Sequence, residues 1–434
     1  MQLRVITPLV LALVGSVAFA DDWTQFRGPN RLGLSTEKGL LKAWPKKGPN
    51  LAWTFKNAGL GFSSVVVSKG VVFTNGTDMN FKDEYLIALS EDKGIELWRT
   101  KIGPLFTFKD NTWGDGPRGT PTVDGNLVYA LGGQGELVCV DASKKGGEVV
   151  WRKNLVTDFG GMMMSKWGYS ESPLVDGNLL ICTPGGAKGT LLALDKTKGV
   201  EKWRTKDWTH SAPYSSPVVA EINGKRQYIQ IGYINDVDGA VLAGVDATNG
   251  KTLWTTSITK GAAYSISPTP IVKGNQVYVS TEDGCQLYEV KAGGKVDEKY
   301  PSGKPTKNIK NSYGGIVLIG DVLYGHSRPG IWNAQDFKTG KALDWNMRNK
   351  LKGNSGALIA ADGMIYVFTD DGEVGLIDAD PSKFEIAGSF RIVKSQIPAN
   401  LATSNDSQTW AHPAIANGRL YIRDHELIYA YLIK

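Results

Sequence analysis

Residues 119–151 read GTPTVDGNLVYALGGQGELVCVDASKKGGEVVW, and residues 171–203 repeat the same order of features as ESPLVDGNLLICTPGGAKGTLLALDKTKGVEKW. Each unit begins with Thr-Pro or Ser-Pro and continues through an apolar strand, an Asp-Gly turn and two more apolar strands. A short final strand ends in Trp. Short alternating strands joined by glycine-containing turns are typical of antiparallel hairpins. The unit therefore predicts a four-stranded antiparallel sheet.

The same unit recurs along the rest of the chain. Further copies span 63–98, 215–254, 267–300, 312–345 and 354–390, and a partial copy at 412–434 stops after its third strand. The aromatic residue that ends each copy returns every 45 to 53 residues, at Trp53, Trp98, Trp151, Trp203, Trp254, Tyr300, Trp345 and Phe390. A four-stranded repeat of this period is typical of propeller blades.

The first member of that aromatic series has no repeat in front of it. Trp53 lies in LAWTF (51–55), a lone strand of the fourth type, whereas the last copy lacks its fourth strand. We therefore expect the N-terminal strand to complete blade eight. The predicted fold is all-β, an eight-bladed propeller over residues 51–434 that this strand closes into a ring.

The N-terminus has the pattern of a secretory signal. Arg4 precedes an apolar stretch, and the small-x-small sequence Ala18-Phe19-Ala20 is followed at once by two Asp residues. This pattern predicts a signal peptide at 1–20, cleaved after Ala20, with a leader segment at 21–50 and a periplasmic or secreted product. No later stretch is long and apolar enough to predict a transmembrane segment.

Composition narrows the classes of protein without naming a function. The 434 residues carry 49 Lys and Arg against 43 Asp and Glu, and no basic run suggests nucleic-acid binding. The 41% apolar content excludes a disordered chain. Three cysteines, Cys139, Cys182 and Cys285, have no metal-binding spacing, and their disulfide state stays open. We expect a monomer.

Two of the turn-to-Trp segments carry a family resemblance. ALDKTKGVEKW (193–203) and GVDATNGKTLW (244–254) resemble the tryptophan-docking motif of quinoprotein-type, pyrroloquinoline quinone (PQQ)-like β-propeller repeats. That superfamily holds PQQ-dependent alcohol dehydrogenases and also the outer-membrane assembly scaffold propeller, which has no cofactor. The leader WTQFRGPNRLGLSTEKGLLKAWP (23–45) resembles secreted bacterial proteins of this repeat class, some labelled polyvinyl-alcohol dehydrogenase-like. The resemblance implies the fold more specifically than an activity.

Candidate binding residues lie in the segments that precede each Ser/Thr-Pro start, which we expect to reach the central funnel. An aromatic lining for a flat ligand or a sugar ring is predicted from Trp113, Trp167, Tyr169, Tyr214, Tyr264, Tyr313 and Trp410. Arg118 can hold a carboxylate through two hydrogen bonds. Glu171, Asn354 and Asp115 offer oxygen ligands for Ca²⁺, and His210 and His412 precede blade starts. The alternative is that these residues only pack the mouth of the channel.

Two functions follow as hypotheses. In the first, the propeller is a binding scaffold whose funnel and rim loops recognise a protein, peptide or glycan. In the second, it is a PQQ- and Ca²⁺-dependent alcohol dehydrogenase, with Arg118 on the PQQ carboxylates, Trp410 or Trp113 against its ring, and Asn354 and Glu171 on Ca²⁺. The adjacent Cys-Cys pair of many such enzymes is absent, and no motif places a catalytic Asp. We therefore favour the scaffold, with no cofactor assigned and no metal site.

Overall fold

The computed structural model describes residues 22–109, 111, 114–235, 239–258, 266–300, 308–311, 313–327, 329–345, 347–348, 350–396 and 409–434. Within these ranges the strands form eight antiparallel sheets, which we number as blades one to eight along the chain. Seven sheets have four strands, and the seventh blade gains a fifth strand from the leader. The predicted all-β, eight-bladed propeller is confirmed. The predicted signal peptide at 1–20 lies outside the described residues.

The strands follow the repeats closely. Blade one contains Val66–Ser68, Val71–Thr77, Asp83–Ser90 and Glu96–Pro104, and blade two contains Thr122–Asp124, Leu127–Leu131, Glu136–Asp141 and Glu148–Asn154. Blade three contains Leu174–Asp176, Leu179–Cys182, Leu192–Asp195 and Glu201–Arg204, and blade four contains Val218–Ile222, Lys225–Asn235, Gly239–Asp246 and Thr252–Ser257. Blades five and six contain Ile271–Lys273, Gln276–Thr281, Gly284–Val290 and Val296–Glu298, with a 3₁₀ turn at Ala292–Gly294; and Val317–Ile319, Val322–Ser327, Ile331–Asp336 and Met347–Arg348. Blades seven and eight contain Leu34–Ser35, Gly356–Ala361, Met364–Thr369, Glu373–Asp378 and Ile386–Arg391; and Ala414–Ala416, Arg419–Asp424, Leu427–Leu432 and Asn50–Phe55.

The ring closes where the sequence predicts. Asn50–Phe55 pairs antiparallel with Leu427–Leu432, so that Trp53 faces Ala430 across the ladder. The fourth strand of blade eight therefore comes from the N-terminal end of the chain, and its other three strands come from the C-terminal end. Closure by strands from both ends ties the two ends of the propeller together and leaves no open sheet at the seam.

The recurring aromatic residues pack blade against blade. The Trp53 indole N–H donates to the Glu91 carbonyl of blade one (2.8 Å), and the Trp151 indole N–H donates to the Lys196 carbonyl of blade three (3.0 Å). Gly199 has φ 64° and lies so close to the Trp151 ring that a Cβ there would be 2.7 Å from it. Glycine is therefore required at this turn both for its conformation and for its lack of a side chain.

A second set of contacts links the blades near the axis. In blades one to four, a Ser or Thr two positions before the first strand accepts a backbone N–H from the equivalent residue of the preceding blade. The donors and acceptors are His412 N–H to Ser64 Oγ (2.7 Å), Ser64 N–H to Thr120 Oγ1 (3.0 Å), Thr120 N–H to Ser172 Oγ (3.0 Å) and Ser172 N–H to Ser216 Oγ (2.9 Å). We call these four acceptors, Ser64, Thr120, Ser172 and Ser216, the hydroxyl arc. It joins blades eight, one, two, three and four through side-chain oxygens.

The leader lies against the first strands of the blades, a placement that the sequence did not predict. Trp23 exchanges backbone hydrogen bonds with Val67 of blade one, and Leu34–Ser35 pairs in parallel with Ala360 and Ala361 of blade seven. First strands of neighbouring blades contact one another and so line the axis. The leader therefore fills part of the central channel.

The three cysteines are buried and form no disulfide. Cys139 and Cys182 lie in strands of blades two and three, and Cys285 lies in blade five. Burial raises the pKa of the Cys139 thiol to about 12 and raises that of Cys182 well above its ordinary value. No helix within the described residues is long and apolar enough to cross a membrane.

Candidate functional site

A funnel of about 920 Å³, part of it open to solvent, lies where the segments before the blade starts converge. Its apolar walls are aromatic and come from Phe26, Phe62, Trp167, Tyr214, Tyr313 and Trp410. Its hydroxyl groups come from Ser64, Thr120, Ser170, Ser172, Ser216 and Ser267. Arg118 and His412 complete the lining. Apolar walls with a few convergent polar groups are the usual lining of a small-molecule site.

Aromatic rings line the funnel in two groups. Tyr313 and Trp410 are stacked, with ring centroids 5.3 Å apart and an interplanar angle of 6°, and Phe62 packs on Trp410 at 4.9 Å. Across the lining, Trp167 and Tyr214 have centroids 6.1 Å apart at 32°. The Tyr214 hydroxyl also shares a hydrogen bond with Ser165. Such paired rings present rigid apolar faces at low entropic cost.

Arg118 is a cation held among these rings. Its guanidinium lies 4.6 Å from the centroid of Phe106 and 5.8 Å from that of Phe62. It donates to the carbonyls of Gly114 (2.9 Å) and Gly116 (3.4 Å), and it forms no ion pair within the described part of the chain. Burial lowers the pKa of Arg118 to about 10, so the side chain stays protonated at neutral pH.

The leader supplies the floor of the funnel. The ring of Phe26 lies 4.9 Å from the ring of His412. Next to it, the Arg27 guanidinium donates to the carbonyls of Leu32 (3.0 Å) and Ile316, and it occupies space that any side chain at Gly315 would fill. Burial and the nearby Arg27 charge lower the pKa of His412 to about 3, so this imidazole is neutral at physiological pH.

A second leader arginine, Arg31, connects the leader to the blades by hydrogen bonds. Arg31 is only 3% exposed, and its guanidinium donates to the carbonyls of Ser172 (2.9 Å), Pro217 (3.1 Å) and Pro173. It also donates to Gln25 Oε1 (2.9 Å) within the leader. Blades three and four are thereby joined to the leader through one side chain. Burial lowers the pKa of Arg31 to about 9, which keeps it charged at neutral pH.

The structure brings six of the candidate residues from the sequence to the funnel: Arg118, Trp167, Tyr214, Tyr313, Trp410 and His412. Trp113 and Tyr264 lie outside the described residues. Five others line no part of the described funnel. Tyr169 is buried and donates to the Pro184 carbonyl (2.9 Å), and His210 packs against Trp208 with ring centroids 6.1 Å apart.

The candidate Ca²⁺ ligands have separate surroundings. Glu171 is 1% exposed and its Oε1 accepts the Thr183 N–H (2.6 Å), and burial raises its pKa to about 7. Asn354 is exposed. Its backbone N–H donates to Asp370 Oδ1 (2.8 Å). Asp115 is bound to Asn111 and Thr107.

These oxygen donors do not converge on one point. Among the described residues no three His, Cys, Asp or Glu side chains are placed to hold a metal ion. A quinone cofactor with a Ca²⁺ ion needs several oxygen ligands around the metal beside the stacked ring. Arg118 and Trp410 meet part of that requirement, and the oxygen ligands of the described funnel do not meet the rest.

Sequence reasoning missed two contributors to the funnel. In the sequence, the hydroxyl arc corresponds to the Ser-Pro and Thr-Pro pairs that mark the starts of the repeats. The pattern that could have revealed the arc is the recurrence of a Ser or Thr at the same position of successive repeats, as at Thr120, Ser172 and Ser216. Phe26 and the buried leader arginines gave no such signal, because nothing in the leader repeats.

Fold and site together define a propeller of the PQQ-like repeat class with an aromatic funnel on its axis. A family model described as outer membrane protein assembly factor BamB matches residues 82–346, more than half of the chain. The chain belongs to this family, and the resemblance drawn from the sequence is confirmed.

Solved structures resemble the chain in fold. BamB from Moraxella catarrhalis is 15% identical with a TM-score of 0.57, over 88% of this chain and 99% of that one. The computationally designed Ika8 protein is 9% identical with a TM-score of 0.55, over 88% and 99%. Quinohemoprotein alcohol dehydrogenase ADHIIG from Pseudomonas putida HK5 is 13% identical with a TM-score of 0.50, over 95% and 80%. A search of curated proteins finds no match.

Proposed function

We propose that this chain is an exported binding module that takes its ligand into the axial funnel. The proposal includes a signal peptide at 1–20, cleavage after Ala20, and action in the periplasm or outside the cell as a monomer. The observation that carries it is the funnel itself, which combines rigid aromatic faces, a row of hydroxyls and the cation of Arg118. Such convergence of apolar walls and a few polar groups is the usual form of a ligand site.

Family membership supports a role in binding. The matching family is described as an outer membrane assembly factor, and a scaffold that recognises a protein, peptide or glycan is consistent with that description. The leader adds a physical reason. Because Phe26 lines the funnel next to His412, the leader forms part of the surface that a ligand contacts.

A PQQ- and Ca²⁺-dependent alcohol dehydrogenase is the second candidate. The specific observation in its favour is that Arg118 and Trp410 share one funnel, where a carboxylated flat ring can contact both. The oxygen donors count against it. Glu171 is buried, with Oε1 accepting the Thr183 N–H, and Asn354 is exposed; neither side chain lines the described funnel. We therefore assign no catalytic residue.

Two measurements on the mature protein separate the candidates. The first adds PQQ and CaCl₂, removes unbound cofactor and records absorbance and dye-linked ethanol oxidation. Stoichiometric uptake with turnover would overturn the binding-module proposal, whereas no uptake supports it. The second measures tryptophan fluorescence during titration with defined sugars and short peptides.

A funnel-filling variant shows where a ligand binds. Ser267 lines the funnel but makes no link in the hydroxyl arc, so Ser267→Trp narrows the site without removing those contacts. The matched control is Thr157→Trp, which adds the same ring at an exposed loop after blade two. We expect binding to be lost in the first variant and retained in the second. Equal binding by both variants would contradict a ligand site in the funnel.

A further inference from the structure

The polar groups of the described funnel lining are donors of hydrogen bonds, and none of them is a carboxylate. Arg118 offers a charged fork, and the hydroxyl arc offers a row of O–H groups. A site that is rich in donors and free of acidic side chains favours a ligand rich in acceptors, and most of all an anion.

Each hydroxyl of the hydroxyl arc already accepts one hydrogen bond from the protein. Ser64, Thr120, Ser172 and Ser216 each accept a backbone N–H from the neighbouring blade. Each hydroxyl keeps its proton and a second lone pair for the funnel. Neighbouring hydroxyls that can both donate and accept match the successive hydroxyl groups of a sugar ring.

Three arginines lie at or beneath the described funnel lining. Beneath the funnel floor, Arg27 and Arg31 donate to carbonyl and amide oxygens, and neither forms an ion pair within the ranges described. Arg118 at the funnel wall also forms no ion pair within these ranges, and the charges of Glu84 and Asp115 act on it from nearby. Glu171 is the acidic group that acts on Arg31, and its raised pKa of about 7 leaves its negative charge incomplete at neutral pH. Arg118 lines the described funnel whereas none of these carboxylates does, so the described lining carries a positive charge and favours an anion.

The aromatic rings require a ligand with an apolar face. The stacked pair of Tyr313 and Trp410 and the tilted pair of Trp167 and Tyr214 both line the funnel. The C–H face of a pyranose ring and the face of an aromatic ring both suit such walls. The hydroxyl arc separates these two possibilities, because an aromatic acid would leave a row of desolvated hydroxyls without partners, which is costly.

We propose that the funnel binds a saccharide that bears a carboxylate, of the uronic acid class. Its ring packs against the aromatic walls, its hydroxyl groups bond to the hydroxyl arc, and its carboxylate lies against Arg118. This inference rests on the proposed binding function and specifies its ligand. A neutral sugar offers the Arg118 guanidinium no charge-assisted hydrogen bond, so it binds more weakly.

The test is calorimetric titration of the mature protein with four probes at low ionic strength. These are digalacturonate, its neutral counterpart digalactose, the aromatic acid benzoate, and a short acetylated peptide with a free carboxylate. We expect digalacturonate to bind at least about tenfold more tightly than digalactose, as a charge-assisted pair contributes about one to two orders of magnitude. Added NaCl weakens the binding of digalacturonate.

Three variants assign that affinity to Arg118. Arg118→Gln removes the charge and retains a donor, and it should reduce digalacturonate affinity about tenfold or more without changing digalactose affinity. Arg118→Lys retains the charge without the two-pronged guanidinium, so it should lose less digalacturonate affinity than Arg118→Gln. Arg391→Gln removes an equivalent charge from an exposed ion pair with Asp371 on the outer strand of blade seven and should bind as wild type does. If Arg118→Gln fails to fold, the Lys variant and the salt dependence of the wild type carry the test.

The outcomes separate this inference from the proposed function. Equal affinity for digalacturonate and digalactose, or tighter binding of benzoate, would overturn the acidic-sugar ligand while funnel binding stands. If the peptide alone binds, and Ser267→Trp abolishes that binding, the acidic-sugar ligand is likewise overturned while funnel binding stands. Absence of binding by all four probes, together with PQQ uptake and turnover, would overturn both.

Discussion

Replacing Arg31 with alanine tests whether the leader is a structural part of the propeller. In the native protein, the buried Arg31 guanidinium donates to carbonyl oxygens of blades three and four and to Gln25 of the leader. Arg31→Ala removes these donors and leaves the carbonyls in a desolvated place. The variant should therefore weaken the contact between the leader and both blades.

The size of the effect follows from those bonds. A hydrogen bond to a charged group contributes about 1.5–3 kcal/mol, and three carbonyls lose one each. Removing the guanidinium also removes the cost of burying its charge, which is several kcal/mol and offsets part of the loss. We expect a net destabilisation of about 3 kcal/mol. At about 2.1 cal/mol/K of unfolding entropy per residue, the melting temperature of a chain this long falls by roughly 3–4 °C.

The assay combines scanning calorimetry with limited proteolysis. Release of the leader should expose Trp23–Ser35 to cleavage, so Arg31→Ala should be cut there faster than the wild type. The control is Arg391→Ala, which breaks an exposed ion pair and should change stability by no more than about 1 kcal/mol. An unchanged melting temperature together with an unchanged cleavage rate in Arg31→Ala would refute the structural role of the leader.

Two further predictions concern blade packing and pH. Trp53→Ala removes a ring that is 8% exposed, together with its hydrogen bond to the Glu91 carbonyl. The free energy of unfolding, measured by chemical denaturation, should fall by about 3–5 kcal/mol. An unchanged denaturation midpoint would contradict the packing role of Trp53. Burial raises the pKa of Glu171 to about 7, above its unfolded value, so this group binds more protons in the folded state and stability falls as pH rises from about 4.5 to 7. Glu171→Gln should flatten that part of the stability profile, measured by denaturation at each pH, and an equally steep profile in the variant would show that another group is responsible.

The repeats predicted the fold well because each copy carries its own evidence. Turn glycines and the aromatic residue that follows them recur with a period of one blade, and the incomplete copy at 412–434 implied the closing strand before Trp53. Two aromatic positions nevertheless lie outside strands. Tyr300 follows the end of Val296–Glu298, and Trp345 precedes Met347–Arg348. The strand pattern in blades five and six is weaker, so the aromatic residue marks the blade more reliably than the strand boundary.

The site was less predictable because it depends on contacts that do not repeat. Placing rim segments at the axis was enough to find Arg118 and Trp410, since the propeller geometry brings every such segment to the same place. The leader was different. Arg27 and Arg31 reach carbonyls of residues 316 and 172, far away in the sequence, and no local pattern indicates such partners. Glu171 and Asn354 were paired as ligands by residue type alone, and the structure places one under the lining and the other on the surface.

The hydroxyl arc gives stability and binding a common origin. Ser64, Thr120, Ser172 and Ser216 hold neighbouring blades together with one lone pair and present the rest of each hydroxyl to the funnel. Replacing one of them therefore disturbs the ring as well as the ligand site, and the two effects cannot be separated at these positions. Ligand preference is more freely set by lining side chains outside the hydroxyl arc, such as Ser267. Arg118 is the position where a change of one charge should alter ligand choice while the ring stays closed, because its protein partners are carbonyls of its own rim loop, Gly114 and Gly116.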